Sequence, residues 1–467
     1  MNIGLIAMSG VRAHDPELTA LGLTLPGFVE RNKVIASLPS LGLLTLGGMT
    51  PARHRVSYLE VQDVNQLAAL PQGFDLVAIS SFSAQIGEAY ALAERFRAAR
   101  VPAVMGGLHV TSLPYEPAAH GASAVAGEGE LLWPQVLEDA ELGALKPVYD
   151  ARGEEFDLAR APMPAFELLD IARYNRITVQ TSRGCPWRCS FCASSILLTR
   201  KYKQKPVARV LAEVDRIRAL WPRPFLEFAD DNSFVNRRYW RELLPELKKR
   251  GVRWFTETDL SVHEDPELLE LMREAGCAEV LIGFEAPGDD SLDGVELKRN
   301  WKYARRAEYR DAIRSIQRHG IRVNACFVTG LDGHRAGVFD AVFDFVQDTL
   351  PYDVQVTVPT PFPGTPFYEQ LKREGRLLRD RAWERCTLFD VNFLPRGMSA
   401  DELRAGFRGL VARLYGEECT RQRRESFRSV WMDEYRRRRA LSAAPARATG
   451  FPRTPRARSD APCRSRP

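Results

Sequence analysis

The chain has 467 residues, 45 % of them apolar and 27 % charged, which is enough to bury two or three cores. Its formal charge of +5 is uneven: from Arg421 onward fourteen arginines stand against four acids, so the body is mildly acidic and the excess lies in the tail. No apolar run is long enough for a bilayer and the opening MNIGLIAMSG lacks the basic start and cleavage site of a secretory leader; eight cysteines, five of them isolated, make no disulfide framework, so a reducing, cytoplasmic protein is expected.

Up to about residue 140, short apolar runs alternate with helical stretches. NIGLIAM, RVSYLE, DLVAISS, PAVMGG and SAVAGEG read as strands, and SAQIGEAYALAERFRAAR carries apolar residues at helical spacing. Strand–helix alternation with short connections predicts a parallel sheet covered on both faces, a Rossmann-like or flavodoxin-like unit. Such sheets bind ligands at the carboxyl ends of their strands. Three small, polar loops are expected there: Ser80-Ser81-Phe82-Ser83, Gly106-Gly107-Leu108-His109 and Gly127-Glu128-Gly129-Glu130. Glycine admits a close backbone approach, so these loops predict an extended cofactor along that edge.

Residues 141–175 read as a linker, because the prolines of DLARAPMPAFELLD interrupt any long element. From 176 to 375 the alternation resumes with RITVQTS, FLEFADD, RWFTETD, AEVLIGFEA, RVNACFVTGL and DVQVTVPTP, separated by helices such as VARVLAEVDRIRAL and PELLELMREAG. Six strand–helix repeats predict a partial (β/α)6 barrel of the TIM type, with its chemistry at the carboxyl ends of the strands. A helical region over 376–440, including SADELRAGFRGLVARLYGEE, is expected to cap the barrel. The last stretch, 441–467, is rich in Pro, Arg, Ala and Ser and is predicted to be a disordered basic tail.

Directly after the first barrel strand comes RGCPWRCSFC, which places Cys185, Cys189 and Cys192 within eight positions. Thiolates hold both zinc and iron–sulfur clusters. Structural zinc takes four ligands, and neither a histidine nor a fourth cysteine follows at finger spacing; the next, Cys277, lies several strands later. A four-iron cluster with one open iron needs only three. A zinc site completed from afar stays open on spacing alone.

The C-x-x-x-C-x-x-C triplet, with the aromatic Phe191 before its last cysteine, resembles the radical S-adenosylmethionine (radical SAM) superfamily. VMGGLHVTSLPYEPAAHGASAVAGEGE, SSFSAQIGEAYALAERF and LPSLGLLTLGGMTP look like the cobalamin-binding domain of one large branch, whose class B members are methyltransferases; FLEFADDNSFVN, LIGFEA and TPFPGTPFYEQL are similar to its barrel. The likeness covers most of 1–375.

The resemblance implies a [4Fe-4S] cluster on Cys185, Cys189 and Cys192 that reductively cleaves S-adenosylmethionine to a 5′-deoxyadenosyl radical. It also implies cobalamin as methyl carrier, and S-adenosylmethionine contacts at Phe191, Asp230, Asp231 and Glu285. Cobalamin contacts are implied at Ser81, Ser83, Gln85, Gly106, Gly107, His109, Gly127, Glu128 and Gly129. The first 140 residues, which carry the cobalamin-domain likeness, hold no D-x-H-x-x-G loop, so no protein histidine is expected on cobalt; the match to that pattern, Asp332–Gly337, lies in the barrel part.

Helix capping competes for the two aspartates, and an arginine salt bridge competes for Glu285. Cys277, Cys326, Cys386, Cys419 and Cys463 read as packing or incidental thiols. The expected activity is methylation of an unactivated carbon or phosphorus centre of a small molecule or lipid. A reductase or flavodoxin-type electron donor is the expected partner, and neither nucleic acid nor a transmembrane segment is expected. Radical cyclisation or ring rearrangement without methyl transfer is the alternative, and a non-catalytic cobalamin or redox sensor the reading of another class.

Overall fold

The computed structural model describes residues 1–20, 38–198, 201–287 and 290–443. Its amino-terminal part is one all-parallel sheet of β1 (Asn2–Met8), β2 (Arg55–Val61), β3 (Leu76–Ser80), β4 (Ala103–Gly106), β5 (Ser123–Ala126) and β6 (Val148–Asp150), in the order β2-β1-β3-β4-β5-β6. Side chains alternate across it, as the pleat requires. Ile3, Leu5 and Ala7 pack toward helices Leu41–Met49 and Gly129–Glu141, whereas Ile6 and Met8 pack toward helix Ile86–Ala98. Burial on both faces is why these strands read as nearly continuous apolar runs.

One boundary moves. The stretch read as a linker from 141 contributes β6, whose Val148 pairs with Ala124 and Tyr149 with Val125 at the edge of this sheet. Three residues between prolines and charged neighbours carry too little periodicity to announce a strand.

The second part begins with β7 (Ile177–Val179). A small antiparallel ribbon of β8 (Ser182–Arg183) and β9 (Lys203–Gln204) follows, then β10 (Phe225–Phe228), β11 (Arg253–Thr258), β12 (Cys277–Glu285), β13 (Arg322–Val328) and β14 (Asp353–Thr357). The large sheet runs β14-β13-β12-β11-β10-β7, every pair parallel, which is the strand order of an open, partial barrel. Its outer face is apolar. Phe228, Trp240 and Trp254 are fully buried there, with the two indoles stacked at 5.8 Å and the phenyl edge-on at 5.4 Å to each; truncating one to Ala costs about 3–5 kcal/mol. The inner face is polar and takes Glu227, Glu257, Glu279, Asn324, Cys326 and Gln355 by the same alternation.

The carboxyl-terminal helices pack on the outer helices of the second part. Helix Ala400–Tyr415, started by a Ser399/Glu402 capping box, packs on helix Val338–Thr349, and helix Glu417–Ala443 packs on helix Tyr309–Arg318 and β14. Fully buried Arg423 reaches within 4.0 Å of Asp353, the first residue of β14. The second helix thus reaches the amino end of β14, while the first begins beside the carboxyl end of β13, where Leu403 lies against Gly330. From 444 on, the segment expected to be a disordered tail lies outside the described residues. Among the described residues no helix is long and apolar enough to cross a membrane.

Candidate active site

Beyond Val179 the chain turns through Gln180–Gly184 into the cysteine loop. Asp230, just past β10, gathers that turn: the amides of Thr181 (2.7 Å) and Ser182 (2.9 Å) and the hydroxyls of Thr181 and Ser233 (3.0 Å) all donate to its carboxylate. Its neighbour points the other way. Asp231 accepts from the amide of Gly184 at 2.8 Å, where Gly184 takes a φ of 93° that a side chain would strain. The two aspartates thus divide. Asp230, 3 % exposed, is engaged by four in-chain donors and shapes the loop. Asp231 faces the loop and acts electrostatically on Cys185.

Cys189 is buried and Cys185 and Cys192 are half-buried, close enough for their charges to interact. Among the described residues no three His, Cys, Asp or Glu side chains converge closely enough to hold a single ion. Three thiols on one short loop are the donor set that a four-iron cluster with one open iron would take. Burial pushes the Cys185 and Cys189 thiols up to about 12, and a cationic iron core is what ionises such groups. Phe191 packs against the core of the second sheet.

Glu285 ends β12 after a register shift, at a φ of 64°. Its partner is Lys302, not an arginine: the ammonium contacts the Glu285 carboxylate and donates to the Gly283 carbonyl at 3.1 Å. Burial pulls Lys302 down, but the Glu285 and Cys189 charges outweigh it and hold the ammonium above its ordinary value. Nearby on the inner face, Leu281, Gly283, Cys326 and Gln355 stay half-buried and Glu257 exposed although the strands flanking each are fully paired. They line an open lumen. Though it opens to the lumen, Glu257 is enclosed by the surrounding barrel wall, and that partial desolvation, with Glu227 and Asp231 as like charges, raises its carboxyl above the ordinary range. Cys326, expected to be a packing thiol, is part of this wall.

The first sheet turns its carboxyl edge toward the same region, but most of the expected contact residues there are engaged within the chain. His109 is 1 % exposed and uses both ring nitrogens, Nδ1 with Ser83 Oγ (3.0 Å) and Nε2 with Glu116 (3.1 Å). Gln85 accepts from the Gly10 amide (2.7 Å) and donates to the Gln62 carbonyl (3.1 Å), lacing the crevice where strand order reverses. Ser81 is buried and donates to the Phe82 carbonyl.

Gly127, at a φ of 100°, is glycine because a Cβ would lie 2.9 Å from the Ala151 backbone. Glu128 accepts from Arg183, from Lys203 Nζ (2.6 Å) and from the Phe156 amide, and Glu130 accepts from Arg183 (2.8 Å). Gly106 and Gly129 remain open: beyond their own neighbours, a Cβ at either meets nothing closer than 3.5 Å. A Cβ at Gly107 would come within 3.2 Å of the Ser81 carbonyl.

Between this edge and the helical turn Ser194–Leu198 that follows the cysteine loop lies a cavity of about 270 Å³, bounded by Ser112, Gly127, Glu128, Arg152, Leu197 and Gly364. A second, of about 650 Å³, shares Ser112 and Arg152 and continues past Tyr90, Tyr115, Arg381 and Trp383. Gly364 belongs to the proline-rich TPFPGTP turn, so that turn does face the junction.

Residues 179–346 match the model of the radical SAM superfamily, and residues 365–447 match a domain of unknown function. An uncharacterised methyltransferase of Synechocystis sp. is 30 % identical over 77 % of this chain and 67 % of its own length. This chain belongs to the radical SAM superfamily. Bacteriochlorophyllide d C-12(1)-methyltransferase of Chlorobaculum tepidum is 27 % identical over 85 % of this chain and 86 % of its own. Among solved structures, the radical SAM methyltransferase TsrM from Kitasatospora setae, with cobalamin and a [4Fe-4S] cluster bound, aligns at a TM-score of 0.61. It is 16 % identical and covers 80 % of this chain and 78 % of its own, a likeness of fold.

In this radical SAM chain the residues that sequence reasoning missed are Lys302, Glu257, Cys326, Arg183 and Lys203. Glu257 alone carried a signal, as a charged residue in a strand whose other face is apolar. The rest acquire their roles from partners far along the chain.

Proposed function

We propose that this radical SAM enzyme holds a [4Fe-4S] cluster on Cys185, Cys189 and Cys192, with cobalamin at the carboxyl edge of the first sheet. It methylates an unactivated carbon or phosphorus centre of a small molecule or lipid. The observation that carries the reading is the loop directly after β7 that brings three thiols within eight positions, followed by Ile196 and Leu197, which line a cavity that also opens on the first sheet's edge. When bound, the cluster supplies the electron that cleaves S-adenosylmethionine and cobalamin supplies a transferable methyl group.

The chain's own residues do the rest. Asp230 fixes the turn entering the loop, and Asp231 holds the Gly184 amide. The Glu285–Lys302 pair sets a buried cation beside Cys189, offsetting thiolate charge. Glu257 offers the lumen a carboxyl with no hydrogen-bond or ion-pair partner among the described residues, and so suits a polar group of a bound substrate. Gly106 and Gly129 leave room for a flat ligand at the sheet edge.

Anaerobic reconstitution tests the cluster: about four irons and four sulfides per chain are expected, and loss of 5′-deoxyadenosine formation in each single Cys→Ala variant. Zinc uptake in place of iron refutes it. Incubation with S-adenosylmethionine deuterated at the methyl group tests the transfer, since only methylation carries the label into product and ring closure does not.

A further inference from the structure

Lys302 sits on a short helix, Trp301–Arg305, that is fastened to the cysteine loop. The Trp301 ring stacks at 4.6 Å on Trp187, which lies between Cys185 and Cys189. Just before that helix the chain pairs with the loop backbone: the Ser190 amide donates to the Val295 carbonyl and the Leu297 amide to the Arg188 carbonyl, each at 2.9 Å, with Cys189 and Glu296 bridged antiparallel between them. Buried Glu296 closes the joint by accepting the amides of Arg188 (3.1 Å) and Trp301 (3.4 Å). The base of the Lys302 side chain is thereby held in place relative to Cys189.

Its tip is held too. The ammonium contacts the Glu285 carboxylate and donates to the Gly283 carbonyl at 3.1 Å. A Cβ at Gly283 would lie 2.8 Å from Lys302 Nζ and 2.5 Å from a Glu285 carboxylate oxygen, so the pair packs where only glycine leaves room. The Lys302 side chain is 13 % exposed and that of Glu285 7 %, so solvent ions screen the two charges little.

Three thiols show which way the pair points. Burial raises the Cys189 thiol, and the Lys302 charge draws it down more strongly than Glu285 pushes it up. Burial raises the Cys185 thiol as well, and Lys302 is among the groups that draw it back. At Cys326, on the lumen wall, the order reverses: after burial, Glu285 raises the thiol more than Lys302 lowers it. The pair is a fixed dipole with its positive end toward the cysteine loop and its negative end toward the lumen.

We propose that Lys302 raises the reduction potential of the cluster, with Glu285 as the counter-ion that holds the cation in place. This role rests on the cluster reading. An electron added to a thiolate-bound cluster makes it one unit more negative, and a cation fixed nearby in a poorly screened place favours that state. Lys302 acts through the Cys189 thiolate and touches no reacting atom.

The test is a redox titration of the reconstituted full chain with dithionite and mediator dyes, without S-adenosylmethionine, the reduced cluster being read by electron paramagnetic resonance. The cluster takes up one electron from dithionite, and no bond is made or broken. Lys302→Met should titrate at a more negative potential than wild type, Glu285→Gln at a more positive one, and Lys302→Arg close to wild type. Opposite signs separate a charge effect from a loosened loop, which would shift both variants the same way. The Glu285→Gln/Lys302→Met double variant leaves no lone charge and carries the test if Lys302→Met fails to hold iron; it should fall below wild type, because the lost dipole turned its positive end to the cluster.

A double variant at or above the wild-type potential, at matched iron content, overturns the proposal, and so does a shift of one sign in both single variants. If wild-type protein takes up zinc or no cluster at all, the cluster reading fails instead. The action of Lys302 on Cys189 is then read in the metal-free chain, where iodoacetamide should alkylate Cys189 several-fold more slowly in Lys302→Met than in wild type or Lys302→Arg, measured by peptide mass spectrometry. Equal alkylation rates in all three overturn the role of the cation as well.

Discussion

Lys302 and Glu285 form a buried ion pair beside Cys189, seventeen residues apart in sequence and joined where β12 bends through a left-handed residue. Side chains in that backbone region cost about 1–2 kcal/mol, so the surrounding structure has to hold Glu285 there. Removing one partner leaves the other as a lone buried charge. Glu285→Ala is therefore expected to destabilise the chain by roughly 3–5 kcal/mol, read as a shift in the denaturant midpoint. The Glu285→Gln/Lys302→Met double variant, which removes both charges, should recover most of that loss. A double variant destabilised by the sum of the Glu285→Gln and Lys302→Met effects would mean that the pair is not coupled.

Asp230 makes a different prediction. Four donors converge on its carboxylate, and two of them are amides of the turn that leads into the cysteine loop. Asp230→Ala orphans all four in a buried place and is expected to cost about 2–4 kcal/mol. Iron retained after reconstitution should fall with it, because the loop loses its anchor. Asp230→Asn keeps the acceptor oxygen and should retain more iron than the alanine variant. A ligand-binding role would instead leave iron content normal and weaken only the affinity for S-adenosylmethionine.

The aspartate pair also shows where reading the sequence stopped. Strands such as NIGLIAM and AEVLIGFEA were legible because a parallel sheet is buried on at least one face throughout, which writes apolar runs of the right length into the chain. The cysteine loop was legible because its ligands are local. Two adjacent aspartates, by contrast, do not say which one points inward; that follows from the register of β10 against β7, a long-range pairing. The in-chain partners of His109 and Gln85 were illegible for the same reason. Their small polar surroundings fit a cofactor edge, but residues as distant as Gly10 and Glu116 complete them internally. Gly127 is a glycine for the sake of Ala151, in a strand-and-loop segment too short to be foreseen.

Glu279 predicts a pH dependence. Its carboxyl lies on the inner face of β12, 7 % exposed, with Oε1 lacking a hydrogen bond among the described residues; burial, then the Asp353 charge, push it up to about 8. In the unfolded chain it ionises near its ordinary value of 4.5. Below that value both states hold the proton and the group adds no penalty. As pH rises the unfolded state releases the proton first, so folding must take one up and stability falls until the folded carboxyl also ionises. Glu279→Gln removes this slope. At about 1.4 kcal/mol per unit, the variant should match wild type near pH 4.5 and exceed it by roughly 2–4 kcal/mol near pH 9, by urea unfolding at the two pH values. A parallel pair of curves would place an ionised Glu279 in the folded state.

Arg183 joins the two sheets. Its guanidinium contacts Glu128 and Glu130 at the carboxyl end of β5, and Lys203 Nζ adds a second cation to Glu128 at 2.6 Å. Arg183 lies two residues before Cys185, so the clasp ties the cysteine loop to the first sheet's edge. Glu128, 4 % exposed, also receives the Phe156 amide, so its carboxylate ties the cysteine loop, the first sheet's edge and the segment after β6 together. Glu128→Gln keeps the Phe156 amide and weakens both cation contacts, at a cost of about 2–3 kcal/mol. If the clasp aligns the two halves, this variant should still cleave S-adenosylmethionine at near the wild-type rate while the fraction of cleavage events that deliver labelled methyl to product falls. A variant that binds cobalamin normally and keeps the wild-type ratio of methyl transfer to cleavage would show that alignment rests on other contacts, such as the Asp390 carboxylate that accepts the His14 amide across the same junction.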